Sequence, residues 1–278
     1  MITHKKLENN YEYIEIKNRQ AEAKIALQGA HVFHYKAKNK SALLWLSKRA
    51  LFKEGKAIRG GIPICFPWFG PHKTDASLPQ HGFARTALWK LVVEEELDND
   101  TTHIQLQLTS TKETLELWEY NFDVRLDVIV TRELSVVLTV TNSDTRPFEI
   151  STALHSYFNV SDIDNVLVEG LDGSYFIDSL TNERALQKGS LTIVKEVDRV
   201  YFDASSAIML YDGSKSIELK QKGSNSLVVW NPWMEKAKQM EDMPDDGYRT
   251  MLCLETGNVG KDARILEANE SHIIGLNI

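Results

Sequence analysis

Apolar and polar residues alternate with a period of two along much of the chain. At 103–109, Ile104, Leu106 and Leu108 alternate with Gln105 and Gln107. One face of such an extended segment is apolar and the other is wet, which is the mark of a half-buried strand. The run at 89–96 leads into it through Asp98, Asn99 and Asp100, a cluster that reads as a hairpin turn. A second pair is longer: Phe122, Val124, Leu126, Val128 and Val130 share one face. Leu134, Val136, Leu138 and Val140 share the next, with the reversal near Arg132 and Glu133. Shorter strands are expected at 23–27, 32–35, 207–211, 216–219, 227–230 and 273–276. Spacing near 3.6 is scarce. Residues 234–243 predict a short helix and 111–117 one turn or two. Helices and strands do not alternate as a parallel α/β sheet requires, so the pattern predicts an all-β chain folded as a large antiparallel β-sandwich. With no linker, low-complexity tract or repeat, 1–278 is expected to be a single domain.

Composition changes this picture only by exclusion. A hydrophobic content of 42% and a charged content of 26% are globular values, which rules out wholesale disorder. The net charge of -7 argues against a nucleic-acid partner, because such proteins carry a basic surface. The two cysteines form no CxxC pair, so no disulfide framework is expected. No stretch approaches the ~18 apolar residues of a membrane span, and the opening MITHKKLENNYEY has no apolar core of a signal peptide. A soluble, cytoplasmic, monomeric protein without a membrane partner is the expectation.

Two segments break the strand grammar. Residues 57–85 hold Pro63, Pro67, Pro71 and Pro79, four of the chain's seven prolines, and residues 230–260 are also irregular. Long ordered loops of this kind often carry function. In the first, Arg59 precedes Gly60 and Gly61; an arginine can fork onto an oxyanion, and glycines let the backbone approach a ligand. A surface arginine before a turn is the plainer reading. Gln80, His81 and Arg85 follow, offering an amide, a titratable ring and a permanent charge. They suit a phosphorylated or carboxylated polar substrate, or else a loop pinned by its own hydrogen bonds. Trp68 and Phe69 can pack on the apolar face of a sugar ring or fill a core. His155 and Glu255 each interrupt an apolar, strand-like stretch. A histidine there is commonly a hydrogen-bonded core residue. A glutamate there is costly unless paired or functional, so it is the stronger signal.

Other chemistries find no support in the sequence. His31 and His34, three apart on a strand, point to opposite faces and chelate poorly. No HExxH, phosphate-binding loop, GxSxG or GxGxxG is present, and Cys65 and Cys253 read as buried structural thiols. No metal, cofactor or covalent nucleophile is expected.

Several blocks resemble one family: RGGIPICFPWFG from Arg59, LPQHGFAR at 78–85, ALHSYF at 153–158, VDRVY at 197–201 and LETG at 254–257. In this order they are similar to the aldose 1-epimerase (mutarotase-like) family, in the branch that acts on hexose 6-phosphates such as glucose 6-phosphate. Thr256 stands where that family more often has Pro or a small apolar residue. The resemblance implies a β-supersandwich and an isomerase interconverting the α and β anomers of a phosphorylated aldohexose. It implies His155 as general acid and Glu255 as general base, with Arg59, Gln80, Arg85 and Asp198 contacting substrate and His81 beside them. Two alternatives stay open at this stage: a mutarotase for unphosphorylated sugars, and a non-catalytic sugar-phosphate-binding protein on the same fold.

The residue types suit the chemistry. Opening a hemiacetal ring takes a proton from the C1 hydroxyl and delivers one to the ring oxygen. A Glu near about 4.3 is ionised at pH 7 and can accept a proton, whereas a His near about 6.5 is mostly neutral, so its role as an acid requires a raised pKa. A substrate phosphate or an acidic neighbour is expected to supply that shift.

Overall fold

The structure, a computed structural model, describes residues 1–213 and 215–278. It bears out the all-β expectation. A nine-stranded sheet runs in the order Leu191–Thr192, Leu167–Glu169, Ala207–Tyr211, Ser216–Lys222, Ser271–Asn277, Leu134–Asn142, Phe122–Val130, Thr102–Thr109 and Lys90–Glu96. An eight-stranded sheet runs Arg184–Leu186, Tyr175–Asp178, Val197–Phe202, Ser226–Asn231, Met251–Gly257, Ala153–Leu154 and Ile64–Cys65. Its eighth strand, Tyr157–Asn159, also pairs with Met251–Gly257. The strands Ile2–Lys6, Glu12–Lys17, Ala21–Ala26 and His31–Ala37 form a separate meander. Phe148–Ile150 and Arg264–Leu266 pair as a small two-stranded sheet, and one contiguous apolar core draws on all four sheets.

The long hairpin expected at 122–140 is present, from Phe122 opposite Asn142 to Val130 opposite Leu134. Every apolar residue assigned to its inner faces is at most 1% exposed. Burying side chains of this size contributes about 1.5–3 kcal/mol each. The outer faces are tied by polar cross-strand contacts: Gln105 Nε2 donates to Asp127 at 2.8 Å and Gln107 Nε2 to Asp123 at 2.6 Å.

The two α-helices among the described residues are Lys112–Leu117 and Trp233–Lys238. Thr111 caps the first, its hydroxyl accepting from the Thr114 N–H while Thr114 reaches back to the Thr111 N–H. The second stops earlier than the 234–243 expectation. Its continuation is claimed by tertiary contacts: the Asp242 carbonyl accepts from the Ser47 hydroxyl and the Met243 carbonyl from Arg49.

The eight-stranded sheet positions the functional residues through simple period-2 alternation. On the strand Ser226–Asn231, Leu227 and Val229 enter the core, while Val228 and Trp230 face the other way and line a cleft. Its register pairs Val228 with Glu255 on one side and with Val200 on the other, and Trp230 with Asp198. Thus Asp198, Val200, Val228, Trp230 and Glu255 form the floor of one cleft.

Candidate active site

The cleft encloses about 620 Å³, and all seven residues singled out from the sequence line it: Arg59, Gln80, His81, Arg85, His155, Asp198 and Glu255. His155 and Glu255, a hundred positions apart, meet through strand register. Ala153 pairs with Gly257 and Leu154 with Thr256, which brings the next residue, His155, opposite Glu255. The ladder is interrupted there, because the Ser156 N–H turns back to donate to the Leu154 carbonyl at 2.9 Å, while the His155 N–H is held on the other side by the Pro63 carbonyl at 2.9 Å. The break leaves the imidazole facing the carboxylate. Nδ1 of His155 lies 3.3 Å from Oε1 of Glu255, with the two side chains 9% and 1% exposed. That is ion-pair distance, but the alignment falls short of a hydrogen bond, and Nδ1 and Oε2 have no hydrogen-bond partner.

The irregular segment 57–85 forms the opposite wall. The Arg59 Nε–H donates to both carboxylate oxygens of Asp242 at 3.2 Å, and Nη1 donates to the Tyr157 hydroxyl at 3.0 Å. Gly60 and Gly61 serve a different purpose from the ligand approach expected of them. A Cβ on Gly60 would stand 2.5 Å from the Trp45 carbonyl oxygen, and one on Gly61 2.4 Å from that of Val32. The glycines press Arg59 against neighbouring strands, and His31 Nε2 fastens the turn by donating to the Gly60 carbonyl at 2.7 Å. His31 is therefore a buried structural donor. His34 lies 3.5 Å from Glu22 instead, so the two histidines do not converge.

Arg85 donates to the Gln80 carbonyl at 2.7 Å and has no carboxylate partner among the described residues. Trp68 satisfies both of its readings: it is 8% exposed, donates to the Pro79 carbonyl at 2.9 Å, and lines the cleft beside Phe69. His81 is held in one tautomer. The Gly70 N–H donates to its Nδ1 at 3.1 Å, so a neutral ring carries its proton on Nε2.

Electrostatics corrects the expectation for the pair. Glu255 is not an ordinary carboxylate: burial, reinforced by Asp198, pushes it well above the usual range. Burial first, then His81, Arg85 and Arg59, pushes His155 well below an ordinary histidine rather than above it. A neutral acid beside a neutral imidazole and a carboxylate beside an imidazolium hold the same single proton. Burial by itself favours the uncharged arrangement.

The sequence profile described as aldose 1-epimerase matches residues 12–277. The chain belongs to the aldose 1-epimerase family. It is an isomerase acting on a sugar, as that membership entails. A relative from Cenchrus ciliaris, provisionally named a glucose-6-phosphate 1-epimerase, is 40% identical over 266 residues, which is 89% of this chain and 78% of the relative. One of the same name from Escherichia coli K12 is 35% identical over 98% of this chain and 92% of its own length. A solved structure from Salmonella typhimurium, provisionally described as a mutarotase, superposes with a TM-score of 0.93 at 33% identity, covering 99% and 92% of the two chains. A galactose mutarotase-like protein from Clostridium acetobutylicum, with a TM-score of 0.75 at 16% identity over 99% and 97%, shares the fold.

Two residues of this epimerase-family chain that pack behind the cleft, against His155 and Arg59, had no distinguishing signal in the sequence. Tyr157 stacks on the His155 imidazole, with centroids 4.7 Å apart and planes 5° from parallel. Its period-2 position inside ALHSYF marked it only as core. Asp242 sits in a run of acidic residues that reads as solvated surface, yet it neutralises Arg59. Asp242→Asn is expected to lower stability by about 1–3 kcal/mol, because the partly buried guanidinium loses charge-assisted bonds. Urea denaturation checks this; an unchanged midpoint would show that the pair carries no stability.

Proposed function

We propose that the chain interconverts the α and β anomers of hexose 6-phosphates, with glucose 6-phosphate as the reference substrate. The observation carrying this reading is that a buried His–Glu pair and two arginines open onto one cleft. The names of the relatives favour a phosphorylated aldose over a free one. So does Arg85, a guanidinium with no carboxylate partner among the described residues in a cleft of the right size for a hexose phosphate.

Glu255 acts as general base on the C1 hydroxyl, and His155 as general acid on the ring oxygen. The ring opens to the aldehyde, rotation about C1–C2 presents its other face, and closure reverses both proton transfers. Arg59 and Arg85 hold the phosphate, while Gln80, Asp198 and the Nε2–H of His81 meet sugar hydroxyls. The same arginines contribute to the low pKa of His155. A phosphate dianion bound between them offsets their field, so substrate makes the imidazolium affordable and moves the shared proton from Glu255 to His155. The charge state the reaction needs arises only when the substrate is bound.

Exchange spectroscopy between the anomers of glucose 6-phosphate, at low buffer concentration, tests the reading. The protein is expected to accelerate exchange of glucose 6-phosphate far more than that of glucose. Arg85→Met removes charge-assisted bonds of about 1.5–3 kcal/mol, so KM for the phosphorylated sugar is expected to rise at least tenfold and that for glucose hardly at all. Equal acceleration of both sugars would instead indicate a mutarotase for free aldoses.

A further inference from the structure

We propose that the floor of the cleft is also a binding site for a soft divalent cation of the zinc class, which holds the enzyme inactive while bound. Cys253 and Glu255 are two apart on the strand Met251–Gly257, so their side chains share a face, and His155 enters from the neighbouring segment. A ring nitrogen of His155, Sγ of Cys253 and a carboxylate oxygen of Glu255 all lie within 4.8 Å of one another, and all three residues are buried. Sequence spacing gave no hint of this set, since 98 positions separate the histidine from the cysteine.

Two observations point to a ligand. The buried Nδ1 of His155 and Oε2 of Glu255 have no hydrogen-bond partner, so donor atoms face one another unsatisfied. Nδ1 and Oε1 stand 3.3 Å apart. Nitrogen and oxygen bound tetrahedrally to zinc at about 2.0–2.1 Å are separated by about 3.3 Å, so this pair already has the spacing of two ligands. Sulfur at about 2.3 Å from the metal belongs about 3.5 Å from the other two donors. Sγ, within 4.8 Å of the other two donors, closes on them by a movement on the order of 1 Å.

Charge agrees with the geometry. A thiolate and a carboxylate neutralise a divalent ion, so the filled site is uncharged in its buried surroundings. Binding releases two protons to solvent, one from the thiol and one from the His155–Glu255 pair. His155 and Glu255 line the cleft, so water or a sugar hydroxyl can supply a fourth ligand from that side. Imidazole and thiolate select zinc, cobalt or cadmium over magnesium or calcium, which prefer oxygen ligands.

The inhibitory part rests on His155 and Glu255 being the proton carriers; the binding part does not. Titrating the full chain with cobalt(II) tests the site directly. The expected result is one tetrahedral cobalt per chain with a thiolate charge-transfer band, and zinc inhibition of anomer exchange reversed by EDTA. Cys253→Ser, with Cys253→Ala as a second variant in case one packs badly, is expected to keep basal exchange. Each should lose the charge-transfer band and need at least tenfold more zinc for the same inhibition. A weak octahedral spectrum without that band, or equal zinc inhibition of wild type and both variants, overturns the site. A cobalt–thiolate band without any effect of zinc on exchange supports the site and overturns the proton-carrier assignment.

Discussion

Glu255→Gln is expected to slow anomer exchange of glucose 6-phosphate by about 10²–10⁴-fold, the usual contribution of a positioned acid or base. The substitution preserves shape, so the packing against Val228 survives and sugar-phosphate affinity should change little. What disappears is the site for the proton of the C1 hydroxyl. His155 suffers with it, because no carboxylate remains to stabilise an imidazolium in surroundings that already oppose one. His155→Ala is therefore expected to fall in the same range. The double variant should be hardly slower than either single one, since two residues handling one proton act as a unit. Exchange spectroscopy for rate and calorimetry for affinity check this. A Glu255→Gln enzyme within twofold of wild type would remove Glu255 from the chemistry.

Acid is expected to unfold this protein unusually early, starting below about pH 6.5. His31 is fully buried and its pKa is lowered to about 4, by burial first. His81 is lowered to about 3, by burial and then by Arg85 and Arg59. In the unfolded chain both return to about 6.5. As pH falls from 6.5 towards 4, the unfolded chain binds two protons that the native state refuses, so stability falls with falling pH. Above pH 6.5 neither ring is charged in either state and this loss is absent. Each group contributes about 1.4 kcal/mol per pH unit. Between pH 7 and 5 the loss should approach about 3 kcal/mol, with His81 counted below full value because it is only half-buried. Urea midpoints at the two pH values measure it. His31→Gln keeps a donor for the Gly60 carbonyl but cannot titrate, so its midpoint should depend less on pH. An identical pH dependence would rule out His31 as a source.

The parts of the fold legible in the sequence were those with one dry face and one wet face. Phe122–Val130 and Leu134–Asn142 alternate strictly because only one side of their hairpin meets the core, so their residues could be assigned face by face. Ser226–Asn231, expected as a strand at 227–230, and Met251–Gly257 are buried along their whole length, and such strands do not alternate, so their faces could not be assigned. Short strands such as Phe148–Ile150 and Tyr175–Asp178 offer too few positions for a period to emerge. The candidate site followed the same logic. Glu255 stood out because a carboxylate contradicts an apolar strand, and Arg59, His81 and Arg85 because they cluster in a proline-rich loop. Tyr157 and Cys253 contradicted nothing, so only tertiary geometry brings them to the dyad. The proton balance was illegible for a related reason. The pKa values of Glu255 and His155 are set by burial, which depends on strands remote in sequence.

The ladder that pairs residues 153–154 with 256–257 also dictates when activity can first emerge as the chain folds. Its closure spans more than a hundred residues, and contacts so distant in sequence slow folding as a whole. On the proposed mechanism a fragment ending before Glu255 is expected to be inactive, and a refolding chain to gain catalysis only once this ladder has closed.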